Sequence, residues 1–255
     1  MKLGLVTYNI AKDWDLDTLI KMCIKTDFEG VELRTTHKHG VEPTLSKAQR
    51  AEVRKRFEDS PITLWGLGTT CEYDSPDRQV VQKNIETTRV FAQLAADVGA
   101  RGIKVRPNRL HTDKGIPVEI TLEQIGKALS VCGSAARDLG IEVWVEVHGG
   151  GTNHVPHMRT IMDVANHDNV FVCWNSNDSD RLEDGTIGKN LDLVIDKIHS
   201  VHMRDLYQKD YPYHELFDRL KAAAFGGFCQ AEIDGSSDPE RVLRYYSALY
   251  REMIS

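Results

Sequence analysis

The feature that most constrains this chain is a unit of roughly thirty residues, a short β-branched run followed by an amphipathic stretch, that recurs eight times without interruption. Strand patterns fall at Lys2–Tyr8, Gly30–Arg34, Ile62–Leu67, Gly102–Arg106, Ile141–Gly150, Val170–Trp174, Ile198–Met203 and Gly227–Ile233. Helical spacing fills the intervals, at Asp15–Lys25, Ser46–Phe57, Asp77–Val98, Leu122–Leu139, Val155–Ala165, Thr186–Ile195, Tyr213–Ala224 and Pro239–Met253. Ser46 is placed to cap its helix, Gly99 and Gly140 to close theirs, and Pro156 stands where a first turn tolerates proline. In the third helix Val80, Val81, Ile85, Val90, Phe91 and Leu94 read as a buried stripe.

No composition shift or Ser/Gly/Pro-rich linker divides the chain, so residues 1–255 read as one domain. Strands that alternate with helices pair in parallel through right-handed crossovers, and eight such units close into an α/β (β/α)8 TIM barrel. An open doubly wound sheet is the alternative, but no strand is followed by GxGxxG or GxxxxGK[ST] to cradle a phosphate.

Charge and cysteine usage narrow the function. The net charge of −6 is spread among interspersed acids and bases, with no footprint for nucleic acid or an anionic membrane. The five cysteines form no CxxC pair and sit mostly in apolar runs, as reduced core thiols of a cytoplasmic protein do. The opening MKLGLVTYNI is too brief an apolar run for a signal peptide or a membrane span. The chain is therefore expected to be soluble and intracellular.

In a TIM barrel chemistry gathers where strands end. The sharpest strand is IEVWVEVHGG: valines 143, 145 and 147 alternate with Trp144, Glu146 and His148, so one face is apolar while the other carries an acid and an imidazole. Glu146 also suits a plain strand-end ion pair with a nearby Lys or Arg. The other strand ends offer Asn9; Glu32 and Arg34; Thr69 and Thr70; Lys104, Arg106 and Asn108; Asn175, Asn177 and Asp178; His202, Arg204 and Asp205; and Glu232 and Asp234. Two glutamates, an amide oxygen and an imidazole on consecutive strands can converge into an oxygen and nitrogen site for Mn²⁺, Mg²⁺ or Co²⁺, with Zn²⁺ also accommodated.

Several rim residues carry two readings. Glu32 and Arg34 bind substrate or form a barrel-floor ion pair. Lys104 and Arg106 form an anion site or pair with Glu146 or Glu32. His148 contacts substrate or anchors a loop. Trp65, Trp144 and Trp174 line the pocket wall or pack in the core.

Taken together, GLVTYN, FEGVELR, WVEVHG, VCWN, VHMRD and QAEID make the chain resemble the xylose isomerase-like barrels, which include tagatose and psicose 3-epimerases, hydroxypyruvate isomerases and inosose dehydratases. The resemblance spans essentially the whole chain. It implies one divalent metal held by Glu146, Asn175, His202 and Glu232. Most relatives have aspartate where this chain has Asn175, which leaves two carboxylate charges in place of three, unless the ion shifts toward Asp178.

The chemistry so implied is proton transfer next to a carbonyl through a metal-stabilised enediolate, with Glu146 and Glu232 on opposite sides of the reacting carbon and Arg204 on a substrate hydroxyl or phosphate. Its products are those of a sugar isomerase or epimerase, or of a dehydratase or lyase acting on a keto-sugar. A non-catalytic sugar-binding barrel and an abasic-site endonuclease are the remaining classes. The endonuclease needs histidines on strands three and four, which here end in Gly-Thr and Arg-Pro-Asn. The expected partner is a small sugar or polyol derivative, and the choice between monomer and homo-oligomer stays open.

Overall fold

The computed structural model of the protein describes residues 1–255. Its first half runs β1 (Lys2–Val6), α1 (Leu16–Lys25), β2 (Gly30–Arg34), α2 (Lys47–Glu58), β3 (Thr63–Glu72), α3 (Arg78–Val98), β4 (Gly102–Arg106) and α4 (Val118–Arg137). The second half runs β5 (Glu142–Glu146), α5 (Val155–Ala165), β6 (Val170–Asn175), α6 (Gly188–Asp192), β7 (Ile198–Met203), α7 (Tyr213–Ala222), β8 (Phe228–Ala231) and α8 (Pro239–Met253). All neighbouring strands pair in parallel and β8 returns to β1, so the sheet closes as the alternation predicts. The apolar residues buried between sheet and helices form one contiguous cluster of 64, leaving no seam at which a second domain could be cut.

Helix ends follow their local chemistry. Asp15 accepts the Thr18 amide, Ser46 and Gln49 form a reciprocal capping box, and Gly99 adopts a left-handed φ of 83° that closes α3. Beyond shifts of a few residues at element ends, three details depart from the sequence reading. Val80 and Val90 are exposed on α3, because the buried face repeats through Val81, Ile85, Thr88, Ala92 and Ala95 and those two valines lie off it. Strand β3 runs on to Glu72 and carries the chain to the rim. Helix α6 spans only Gly188–Asp192, since Asp184 takes both the Thr186 amide and its hydroxyl into a turn where the longer helix would begin.

The interior is filled from the floor upward. Trp65 stacks on Trp144 at 5.2 Å and against Phe228 at 4.9 Å, in a layer made possible by glycines on the facing strands. A Cβ on Gly30 would stand 2.4 Å from the Phe228 ring, and one on Gly66 or Gly102 would stand 2.5 Å from Trp144. Any larger residue there would displace a ring from a close-packed layer. Trp65 and Trp144 therefore belong to the barrel floor, the core-packing alternative of the two open to them. Above this floor the inward positions turn polar, with Gln230, Glu32, Lys104, Glu146 and His202 all buried.

Candidate metal centre and active site

Parallel register sets Asn175 of β6 beside His202 of β7 and His202 beside Gln230 of β8, so inward residues of the second half-barrel are neighbours before any side chain is considered. One ligand atom each from Glu146, His202 and Glu232 lie within 4.8 Å of one another. His202 Nδ1 stands 3.5 Å from Glu146 Oε1 and 3.6 Å from Glu232 Oε2. The Asn175 amide lies 3.3 Å from the same Glu146 oxygen. The four residues named by the resemblance thus meet at the mouth of the barrel.

His202 is the pivot. Its ring is sealed from solvent, its Nε2 is 3.0 Å from Glu32 Oε2, and its Nδ1 has no hydrogen-bond partner. A buried imidazole nitrogen with no partner, turned toward two carboxylate oxygens, is a donor set that suits a divalent cation. A carboxylate on the far ring nitrogen is the usual means of orienting a histidine ligand. Burial alone would hold the ring neutral, but the Cys173 thiol and the Glu32 and Glu232 carboxylates raise its proton affinity well above the ordinary value. A metal binding at Nδ1 has to displace that proton.

Glu146 is held ionised. Burial disfavours its charge, yet Lys104 and His202 outweigh burial and keep the carboxyl well below the usual range. The Lys104 ammonium is 2.7 Å from Glu146 Oε2 with both side chains buried, and despite burial the three glutamates around it keep it charged. Glu146 therefore offers Oε2 to Lys104 and Oε1 to the mouth. His148 Nδ1 approaches that second oxygen at 3.9 Å.

The remaining predicted residues sort by what they touch. Glu32, read as a substrate contact or as half of a barrel-floor ion pair, is fully buried against His202, with its proton affinity lowered by the imidazole in spite of burial, and forms no ion pair with Arg34. Arg106 pairs with Glu72 at the end of β3 and meets neither Glu146 nor Glu32. Arg204 pairs with Asp178 at 3.0 Å and lies over the Tyr211 ring, and Asp178 is shared with Arg181. Asp178 is two-thirds exposed on a single 3₁₀ turn and does not join the carboxylate and imidazole cluster. Trp174 takes the core reading and not the substrate-binding one. It points away from the mouth, fully buried, and its indole N–H donates to the Tyr211 hydroxyl at 2.9 Å.

Two supports escaped the sequence reading. Gln230 bridges the Ser200 hydroxyl at 2.9 Å and Glu32 at 3.4 Å, bracing the acid that braces His202. Its signal was its inward place on β8, two residues before Glu232 just past the strand's end. Asp180, buried behind β6, accepts the Asn177 amide at 2.8 Å and the Tyr211 hydroxyl at 2.9 Å. No sequence pattern marks it among three nearby acids.

Comparison with known proteins agrees with this architecture. The xylose isomerase-like TIM barrel profile matches residues 20–253. A search of curated proteins gives no match. Among solved structures, the chain is similar to a D-psicose 3-epimerase from Clostridium cellulolyticum H10 with D-tagatose, at a TM-score of 0.83 and 15% identity over all of both chains. It is similar to the IOLI protein with a bound zinc atom, at 0.79 and 15% identity over 100% of this chain and 98% of that one. It is also similar to the probable 3-DHS dehydratase AsbF from Bacillus anthracis, at 0.75 and 13% identity over 98% and 99%.

Proposed function

The chain belongs to the xylose isomerase-like TIM barrel family, and from that premise we propose that it is a divalent-metal-dependent isomerase or epimerase acting on a sugar or sugar derivative by proton transfer next to a carbonyl. The observation that carries the proposal is the unpartnered His202 Nδ1 between Glu146 and Glu232, braced from behind by Glu32. Glu146, His202, Glu232 and the Asn175 amide oxygen would hold the ion, Mn²⁺ or Mg²⁺ in preference to Co²⁺ or Zn²⁺ because three of the four donors are oxygens. When bound, the ion would supply Lewis-acid polarisation of a carbonyl and its neighbouring hydroxyl.

The chain's own groups move the proton. Glu232, just past the end of β8 and partly open to the mouth, takes the carbon-bound proton at a carboxylate oxygen, and Glu146, on β5, passes to the opposite face a proton drawn through Oε2 from the Lys104 ammonium, solvent restoring both groups before the next turnover. Lys104 holds Glu146 in position and offsets its charge. His148 and Arg204, at the rim, contact the substrate's hydroxyls. A small sugar is the expected partner, in the cytoplasm, and nucleic acid is not expected for a surface of net charge −6.

A second reading, elimination from a keto-sugar by a dehydratase or lyase, begins with the same proton removal and draws support from the likeness to a probable dehydratase. Elemental analysis and Mn²⁺ calorimetry on wild type, Glu232→Gln and Asn175→Ala test the metal. About one ion per chain, weakened in both variants, is expected. Keto-sugars incubated with the loaded protein in D₂O then separate the two readings by their products. No binding of any of the four ions at millimolar concentration overturns both.

A further inference from the structure

The strand-end cations of the interior differ in one respect. Lys104 is taken by Glu146, Arg106 by Glu72 and Arg204 by Asp178. Arg34, the last residue of β2, has no carboxylate partner. Its side chain makes one hydrogen bond to the protein, from Nη1 to the Thr35 carbonyl at 3.3 Å, although a guanidinium carries five N–H donors. Nε and Nη2 bond to nothing in the protein and are not sealed from solvent.

The mount beneath that guanidinium is rigid. The Arg34 amide donates to the Thr7 hydroxyl at 2.9 Å, and its carbonyl is held by His39 Nε2 at 2.8 Å. The Thr7 hydroxyl also bonds His37 Nδ1, and the His37 ring stacks on the half-exposed Tyr8. Gly68 on β3 leaves room alongside, since a Cβ there would come within 3.3 Å of Arg34 Cδ. Arg34 lies one inward step above Glu32, which reaches His202 across the barrel, so it stands at the rim end of β2, one layer above the brace of the metal cluster. A half-buried guanidinium on a fixed backbone, with its fork open and no acid to fill it, is built to receive an anion in bidentate fashion.

We propose that Arg34 binds an anionic group, a carboxylate or a phosphate, at the end of the substrate remote from the reacting carbon, so that the enzyme acts on acidic sugar derivatives in preference to neutral ketoses. The proposal rests on the metal-centred sugar reading above and adds the substrate class.

The test is calorimetric binding of D-fructose, D-fructose 6-phosphate and 5-keto-D-gluconate to the full chain, with and without Mn²⁺, for wild type, Arg34→Gln and Arg34→Lys. Wild type is expected to bind at least one acid tenfold to a hundredfold more tightly than fructose, and the two acids distinguish phosphate from carboxylate. Arg34→Gln should erase that preference while leaving fructose and Mn²⁺ binding unchanged, and Arg34→Lys should restore part of it. Equal binding of all three ligands, no binding of either acid, or a uniform loss across ligands in Arg34→Gln overturns the proposal. An acid preference that depends on Arg34 in a protein that takes up no Mn²⁺ supports it while overturning the metal reading.

Discussion

Glu32 Oε2 lies 3.0 Å from His202 Nε2 with both side chains shut off from solvent, so an acid on β2 fixes the orientation of an imidazole on β7 across the barrel. That contact leaves Nδ1 as the ring nitrogen facing the mouth. Glu32→Gln keeps the shape and an acceptor but removes the charge. Mn²⁺ affinity should fall about tenfold to a hundredfold, the usual effect of losing a ligand's outer partner. Calorimetry reads the affinity, and a circular dichroism melt checks that the fold survives. Unchanged affinity would show that Glu32 does not orient the ligand.

Lys104 and Glu146 form a buried pair at 2.7 Å, and removing one partner strands the other. Lys104→Met should destabilise the metal-free protein by about 3–5 kcal/mol. A divalent ion would then take over part of the ammonium's electrostatic work. Millimolar Mn²⁺ should consequently raise the urea midpoint of Lys104→Met more than that of wild type. Equal metal-induced shifts in the two proteins would mean that Lys104 and the ion do not share Glu146.

The barrel was legible because period-two strands and amphipathic helices carry topology in their order, and one-residue parity put Glu32, Lys104, Glu146, His202 and Glu232 on inward faces. Partners were not legible, because pairing depends on distances across the barrel. Nothing local says that Glu32 meets His202 from 170 positions away rather than Arg34 two residues on. The tryptophans kept two readings for a related reason. A bulge between β2 and β3 turns Trp65 inward to the floor, and Trp174, next to the inward Asn175, alternates to the outer face.

Asn175 sets an uncharged amide beside the carboxylates and imidazole of the centre. Its amide sits 3.3 Å from Glu146 Oε1, so Asn175→Asp would place a second carboxylate at hydrogen-bond distance from the first. The metal-free protein should melt lower in EDTA, because like charges are then crowded with no ion between them. Mn²⁺ affinity should rise at least about tenfold, since charge count tunes hard-cation sites. The two effects have one origin and should appear together. A variant that melts lower but binds Mn²⁺ no better would place Asn175 outside the coordination sphere.

Asp180 gives the protein a pH dependence of stability distinct from the metal centre. Burial, opposed by the Asn177 and Tyr211 hydrogen bonds and the Arg204 charge, pushes its carboxyl up to about 7. Its Oδ1 has no partner, as suits a protonated acid in an apolar surround. In the unfolded chain an aspartate releases its proton near pH 4. Between about 4 and about 7 the folded state thus holds a proton that the unfolded state has lost, and stability falls as pH rises through that window, by up to about 1.4 kcal/mol per unit, before levelling above it. Asp180→Asn keeps an acceptor for Asn177 and Tyr211, sets an N–H where the acid carries its O–H, and cannot ionise. Melting temperatures by calorimetry at pH 5, 6, 7 and 8 should decline for wild type more steeply than for Asp180→Asn, with the variant the more stable protein at pH 8. Parallel profiles would mean that Asp180 is ionised throughout and that the Tyr211 and Asn177 contacts stabilise its charge.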